Sequence, residues 1–378
     1  MSLRVALVHD WLTGMRGGEK VLEVLCERYP DAELFTLVHM PGTVSPTIER
    51  VRRHTSFIQR MPFVRKYYRQ YLPLFPTAIE QFSFDRFDVV VSISHCCAKS
   101  IVRPGHTRHL CYCLTPMRYA WDQFDAYFGA DRIGPIASAA MRPLMARLAR
   151  WDRDTADRVD RYVAISHYVA GRIRRYYNRE ATVLYPPVDT DFFHPDDTRP
   201  ERFGLVVSAL VPYKRIEVAI DACSRAGVPL KIVGDGPERP RLERHARGGV
   251  EFLGRLPNTT VRDLYRRAAI TLLPGEEDFG IVPLEAQACG RPVVALGRGG
   301  TAETVIPGTT GTLVDDLSVD AFADAIARTI DGAFDPGAIR AHAERFSRER
   351  FGDEMETLIR EGACADLSAE APSNERGA

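Results

Sequence analysis

Apolar residues along this chain fall into two patterns that take turns. Short runs of consecutive apolar positions mark strands covered on both faces. Each is followed by a stretch in which apolar residues recur every three or four positions, as on a helix with one covered face. In the first half the runs predict strands at residues 4–8, 33–38, 88–93, 108–113, 161–165 and 182–184. Ser166 is placed to cap a helix that carries Tyr168, Val169, Ile173 and Tyr176. In the second half strands are expected at 203–208, 230–233, 250–253, 270–273, 292–296 and 312–314, with a helix over 216–226. Helices near 335–346 and 349–359 have no strand after them. Strand and helix in alternation predict an α/β protein with doubly wound parallel sheets.

Between the two series the chain reads Tyr185-Pro186-Pro187 through Pro195-Asp196-Asp197 to Pro200, a Pro- and Asp-rich stretch typical of a linker. The expected division is an N-terminal Rossmann-like domain over 1–185, a linker over 186–200 and a C-terminal Rossmann-like domain over 201–345. A helix over 346–362 is expected to pack back on the first domain, and the polar, small residues 363–378 to form a frayed tail. A length of 378 residues suits two domains of roughly 100–200 each. Ligands of doubly wound sheets bind beyond the carboxyl ends of the strands, so two such sheets would turn both sets of strand ends onto one shared cleft.

Composition narrows the class. Hydrophobic residues make up 45% and charged residues 26%, and Lys plus Arg balance Asp plus Glu at 50 each, so nothing draws the whole chain to nucleic acid. The first apolar run is bounded by Arg4 and His9-Asp10 and is too short for an export signal, and no stretch of about 20 apolar residues exists. A cytoplasmic location is expected. The eight cysteines form no C-x-x-C pair and read as buried free thiols of a reducing compartment rather than a zinc site. Residues 50–69 hold seven Lys or Arg and no acid, interleaved with aromatics, and Tyr71, Leu72, Leu74 and Phe75 follow. This suits peripheral contact of residues 50–75 with an anionic membrane at the inner face of the plasma membrane.

The densest chemistry lies at Leu272-Leu273-Pro274-Gly275-Glu276-Glu277-Asp278-Phe279-Gly280-Ile281-Val282-Pro283-Leu284-Glu285. A strand gives way to a glycine-bearing loop and then to a helix, with Pro283 in its first turn. Backbone N–H groups around Gly280 and Ile281 can meet an anion there, helped by the helix dipole. Lys214, at an earlier strand-to-helix turn, can reach a diphosphate. In the first half Asp10-Trp11-Leu12-Thr13-Gly14-Met15-Arg16-Gly17-Gly18 follows the first strand and opens a helix. Asp152-Arg153-Asp154 and Asp189-Thr190-Asp191 have the spacing of a metal-binding pair but read as a solvated helix face and a turn; no metal is expected.

Glu277 and Glu285 around Phe279-Gly280-Ile281-Val282-Pro283-Leu284, followed by Ala288-Cys289-Gly290-Arg291-Pro292, resemble the signature of glycosyltransferase family 4. The resemblance implies the GT-B fold, two Rossmann-like domains facing across a cleft, and transfer from a nucleotide sugar with retention of configuration. It implies Lys214 and Glu277 as catalytic residues. It implies donor contacts from Gly17 and Gly18, from Gly234 in Val233-Gly234-Asp235-Gly236, from Leu256, and from Phe279, Gly280, Ile281 and Glu285. Glu277 would orient the sugar and Glu285 the ribose. The family usually has an Arg five residues before the Lys; here it is Ala209, and Arg215 is the candidate substitute. The block Leu114-Thr115-Pro116-Met117-Arg118-Tyr119 resembles a mannosyltransferase-like branch in which a His often stands where Leu114 does. His95 and Arg118 are candidates to line the sugar or acceptor pocket. The expected donor is GDP-mannose, used as co-substrate with no cofactor, and the expected acceptor is lipid-linked or a growing glycan. The alternatives are a nucleotide-sugar epimerase or phosphorylase on the same fold, or a non-catalytic scaffold subunit of glycan assembly.

Overall fold

The computed structural model describes residues 3–364. Most of the expected tail lies outside the described residues; 363 and 364 end a helix, Arg348–Cys364. The chain divides into two compact units. Among the described residues the first takes in 3–165, Val169–Leu184 and 351–364, and the second takes in Ser166–Tyr168 and Tyr185–Arg350.

The first unit is built on seven parallel strands: β1 (Val5–His9), β2 (Glu33–Thr36), β3 (Arg52–Thr55), β4 (Val89–Ser94), β5 (Arg108–Cys113), β6 (Arg161–Ala164) and β7 (Ala181–Val183). Their order is β3-β2-β1-β4-β5-β6-β7. Six of them follow the apolar runs. The strand β3 does not, because Arg-Arg-His-Thr carries no such run. It is an edge strand, which has only one neighbour and tolerates charge. Its register sets Arg52 against Glu33 and His54 against Phe35, and the His54 ring stacks on Phe35 at 4.6 Å. The basic segment therefore begins at the end of the short helix Pro46–Arg50, runs through β3 and continues through 3-10 turns and the short helix Val64–Tyr67. One large apolar cluster, with Tyr68, Leu72, Phe75, Met117, Met145 and Leu148, covers a face of this sheet. In the helix Arg348–Cys364, Phe351, Met355 and Ile359 are four apart and fully buried. Phe351 meets Tyr112 of β5 edge-on at 5.4 Å.

The second unit has six parallel strands: β8 (Glu201–Val207), β9 (Leu230–Val233), β10 (Val250–Gly254), β11 (Ala268–Leu273), β12 (Val293–Leu296) and β13 (Gly311–Val314). They run in the order β10-β9-β8-β11-β12-β13. Alternate residues of each strand point to opposite faces. Val206, Ile270, Leu272, Val294 and Leu296 join one core with the helices Ile216–Arg225 and Val319–Asp331. Leu205, Leu273, Val293 and Ala295 join the other with Asn258–Arg267 and Ile281–Ala288. Residues 186–200, read above as a linker, are built into this unit. The Val188 N–H donates to the Phe346 carbonyl at 2.8 Å. Phe193 is buried edge-on against Tyr265, and Arg266 and Arg291 donate to the carbonyls of His194 and Thr198, each at 2.8 Å. Guanidinium donors satisfy backbone that forms neither helix nor strand.

In each sheet the strand order reverses once, between β1 and β4 in the first and between β8 and β11 in the second. Loops at the carboxyl ends of such neighbours diverge and leave a crevice, the usual ligand site of this architecture. Among the described residues no helix is long and apolar enough to cross a membrane.

Candidate functional site

In the second unit, Lys214 ends a 3-10 turn, Pro212–Lys214, in the loop after β8, and Glu277 lies in the loop after β11. The two side chains form an ion pair, Nζ to Oε1, with 16% of each exposed. Glycines make the approach possible. A Cβ at Gly275 would lie 2.6 Å from the Tyr213 carbonyl oxygen and 2.7 Å from Lys214 Cα. On the other side, the Gly300 N–H donates to the Glu277 carbonyl at 2.7 Å, and a Cβ at Gly300 would lie 2.2 Å from Phe279 Cα. The loop bearing Glu277 is thus wedged between the loops after β8 and β12. Sequence reading singled out neither Gly275 nor Gly300; the signal was the clustering of glycine just past two apolar runs.

The remaining donor-side candidates divide. Gly234 sits at φ +129°, where a Cβ would fall 1.8 Å from the Ser208 carbonyl oxygen, and its N–H donates to Gly254 O at 2.7 Å. Leu256 packs at the edge of the core on its face of the sheet. Gly280 takes φ +96° and leads into the helix Ile281–Ala288, so Ile281 is its first residue. Glu285 is 5% exposed, and the Tyr265 hydroxyl donates to its Oε2 at 3.1 Å. Burial first, then that carboxylate, pushes the Tyr265 hydroxyl well up. Phe279 is buried and stacks on Tyr185 at 5.5 Å, so its ring holds the loop in place. Ala209 is exposed, and Arg215, the candidate substitute, is half exposed and paired with Glu217 at 3.0 Å. Ser166 stands before the helix His167–Tyr177 as expected, but its hydroxyl donates to the Asp278 carbonyl at 2.6 Å. The Glu303 carboxylate receives the first amides, from His167 at 2.9 Å and Tyr168 at 3.0 Å.

In the first unit, His9 and Asp10 end β1, and His95 follows β4, at the reversal point of the sheet. The fully buried Asp10 carboxylate accepts the amides of His95 (2.8 Å), Cys96 (3.0 Å), Cys97 (2.7 Å) and Ala98 (2.7 Å). His95 Nδ1 lies 2.9 Å from Asp10 Oδ2. Burial alone would push the Asp10 carboxyl up, but the imidazole beside it and the amides outweigh this and hold it well below the usual range. The His95 ring stands edge-on to Trp11 at 4.6 Å and is 30% exposed. Gly17 and Gly18 open the helix Gly17–Arg28, so they belong to its first turn rather than to the loop before it. A Cβ at Gly18 would lie 3.1 Å from His9 Nε2 and 2.7 Å from Leu114 Cδ1. Arg118 begins the short helix Arg118–Trp121 after β5. Sequence reading took His9-Asp10 only as the polar end of an apolar run. The available signal was a pair of polar residues at the tip of the strand that precedes the glycine-rich turn.

Asp152 is not on a solvated face. It is fully buried and paired with the equally buried Lys99 at 3.1 Å, and it accepts from Trp121 (2.7 Å) and Tyr177 (2.8 Å). Asp189 receives the Phe192 amide at 3.0 Å in a turn. The cysteines at 26, 96, 97, 111, 113, 223 and 289 are buried and free. Cys96 and Cys97 lie near Asp10, yet its oxygens are taken by backbone amides and burial pushes both thiols up, so the group does not fit a cation.

Comparison with known proteins agrees with this architecture. A model described as "Glycosyltransferase Family 4" matches residues 15–192, and one described as "Glycosyl transferases group 1" matches residues 202–331. A D-inositol 3-phosphate glycosyltransferase of Mycolicibacterium paratuberculosis is 29% identical over 58% of this chain and 54% of its own. D-inositol 3-phosphate glycosyltransferase 2 of Catenulispora acidiphila is 32% identical over 53% of this chain and 56% of its own. The chain thus spans about half the length of the curated relatives it matches. The solved structure of Anabaena Alr3699/HepE in complex with UDP covers 95% of this chain and 100% of its own, with a TM-score of 0.68 at 18% identity. One family match on each unit and a shared two-sheet fold make this chain a glycosyltransferase-family-4-like protein of GT-B fold.

Proposed function

We propose that the chain is a retaining glycosyltransferase that moves a hexose from a nucleotide diphosphate sugar to a lipid-linked or glycan acceptor, with GDP-mannose as the favoured donor. The observation that carries this reading is the Lys214–Glu277 pair at the reversal point of the second sheet, beside the start of the helix Ile281–Ala288. Without ligand, the two charges satisfy one another. A donor diphosphate would compete for Lys214 and release Glu277 to a sugar hydroxyl. As the glycosidic bond breaks, negative charge grows on the leaving diphosphate, and a fixed cation together with helix amides stabilises it. That arrangement does the work for which other transferases use a metal, so no cofactor is invoked. The relatives named as glycosyltransferases and the UDP held by the Anabaena protein support the donor class. Mannose rests on the block from Thr115 to Tyr119. Contact with an anionic membrane through residues 50–75 belongs to the same reading and places the enzyme at the inner face of the membrane. Phe63, 78% exposed and flanked by Arg60, Arg65 and Lys66, supports it.

The test is a melting-temperature panel with UDP-glucose, UDP-galactose, GDP-mannose and the bare diphosphates. A ligand at 100 times its Kd stabilises the chain by about 2.7 kcal/mol. GDP-mannose should give the largest rise, followed by release of GDP when a glycan acceptor is added. A UDP-sugar in first place would keep the class and move the donor. No rise with any of them would overturn the reading.

A further inference from the structure

The helix Ile281–Ala288 is apolar but for two positions, Glu285 and Gln287. Glu285 is buried, and Ala286 and Ala288 beside it join an apolar core with Phe193, Val261, Leu264 and Leu273. A carboxylate in such surroundings needs donors that hold its charge. One comes from Tyr265 of the helix Asn258–Arg267, whose hydroxyl donates to Glu285 Oε2 at 3.1 Å.

Tyr265 is itself fully buried, in that same core. Phenylalanine would fill the space as well, and a buried hydroxyl stabilises a protein only when it is paired. The bond to Glu285 therefore explains why the ring carries an oxygen. Burial and that carboxylate keep the phenol protonated, so the hydroxyl stays a donor. The ring has little freedom. Phe193 meets it edge-on at 5.8 Å. The Phe193 carbonyl accepts from Arg340 Nη1 at 2.6 Å, and the same nitrogen donates at 3.0 Å to the carbonyl of Ala288, the last residue of the glutamate's own helix. Residues 186–200 and the two helices are thus tied into one frame, all of it within the second unit. A carboxylate accepts about four hydrogen bonds, so a donor on one oxygen orients the group and leaves it able to accept from a ligand.

We propose that Tyr265 is a positioning residue, which through its hydroxyl holds Glu285 in the orientation that receives the ribose diol of the nucleotide. This inference rests on the glycosyltransferase reading above, in which Glu285 meets the ribose, and adds the residue that sets its aim. The ribose is remote from the bond that breaks. Its contact is felt alike in the ground state and the transition state, and so in KM rather than kcat.

The experiment uses the full chain with GDP or UDP, whichever binds, and the 2′,3′-dideoxy form of the same nucleotide, with Kd read by calorimetry. The wild type should bind the ribonucleotide more tightly than the dideoxy form by about tenfold or more. Tyr265→Phe should weaken the ribonucleotide by about tenfold and the dideoxy form by less than about twofold, so that most of the discrimination is gone. The KM for the parent nucleotide sugar should rise in step, with kcat nearly unchanged. Phe193→Leu frees the ring but keeps the hydroxyl. It should give the same selective loss in smaller measure, and it carries the test if Tyr265→Phe does not fold. A hydroxyl that only steadies the core would lower the melting temperature and leave the discrimination intact, and that result overturns the proposal. So does an equal loss for both nucleotides. If the wild type itself binds the two alike, Glu285 does not meet the ribose, and the reading of that residue falls together with the inference. A chain that binds neither nucleotide fails earlier, at the functional reading, and the inference goes with it.

Discussion

Lys214 and Glu277 are mostly shielded from water, so each depends on the other until a ligand replaces one of them. Removing the cation should act on the transition state and also cost some stability, because Glu277 is left without its partner. Lys214→Ala is expected to cost about 3 kcal/mol of barrier, a loss of roughly a hundredfold or more in kcat. Single-turnover rates with a saturating nucleotide sugar measure it, and near-normal turnover would remove Lys214 from the mechanism. A different residue governs behaviour in acid. His109 is buried with both ring nitrogens engaged, Nε2 by Ser92 Oγ at 2.8 Å and Nδ1 by the Arg158 carbonyl at 3.1 Å. Burial pushes its pKa down to about 3, whereas in the unfolded chain it returns to about 6.5. Below pH 6.5 the unfolded state takes up a proton that the folded state refuses. The stability from this ring is thus complete above pH 6.5 and drains away as pH falls toward 3. At pH 5 the loss should be about 2 kcal/mol relative to pH 7. Urea midpoints for the wild type and His109→Gln at both values test it. An equal drop in the two would place the acid sensitivity elsewhere, for instance at His342, which burial lowers to about 4.

At the scale of elements, the second site is a stack of loops kept close by glycine. Gly275→Ala brings a methyl group into the backbone of Tyr213 and Lys214. The Lys214 turn must move by about an ångström, and a displacement of that size at a positioned group costs on the order of a hundredfold in rate. Donor turnover should fall to that extent while the melting temperature drops only a few degrees; activity unchanged within threefold would show the loops to be looser than their contacts imply. The strands around this stack were largely legible, because central parallel strands are apolar on both faces and stand out as runs. The strand β3 was not, since an edge strand needs no such run. Phe279 reads in sequence as part of the ligand signature, yet its ring packs on Tyr185. Residues 186–200 look like a linker because Pro and Asp break regular structure, yet arginines far along the chain bind their carbonyls.

For the molecule as a whole, the balanced total charge conceals a local imbalance. Residues 50–69 are cationic without a single acid, and Phe57, Phe63 and Leu74 are exposed in or just beyond them. The chain should sediment with vesicles containing phosphatidylglycerol at about 0.05 M salt and detach at about 0.5 M, as the Debye length shortens. Phe63→Ser combined with Arg65→Glu should weaken that binding with the melting temperature intact. Equal binding to neutral vesicles, or none at low salt, would refute the surface. The division into two units also predicts unfolding in more than one step, with a nucleoside diphosphate raising only the step that belongs to residues 185–350. Scanning calorimetry with and without the diphosphate separates these outcomes.

The pattern of residues along the chain was enough for the class of fold, the number of sheets, most strands and the loops that bear Lys214, Glu277 and Gly234. Each of those signals is local: an apolar run, a turn that needs glycine, a charge at a strand end. Only the tertiary structure decided that Glu277 meets Lys214, that Asp152 is a buried ion-pair partner of Lys99, and that Asp10 gathers four amides from beyond another strand. It alone brings the Tyr265 hydroxyl to Glu285. These are pairings between residues far apart in sequence. A polar side chain looks the same in sequence whether it meets water or a partner that only strand order brings near.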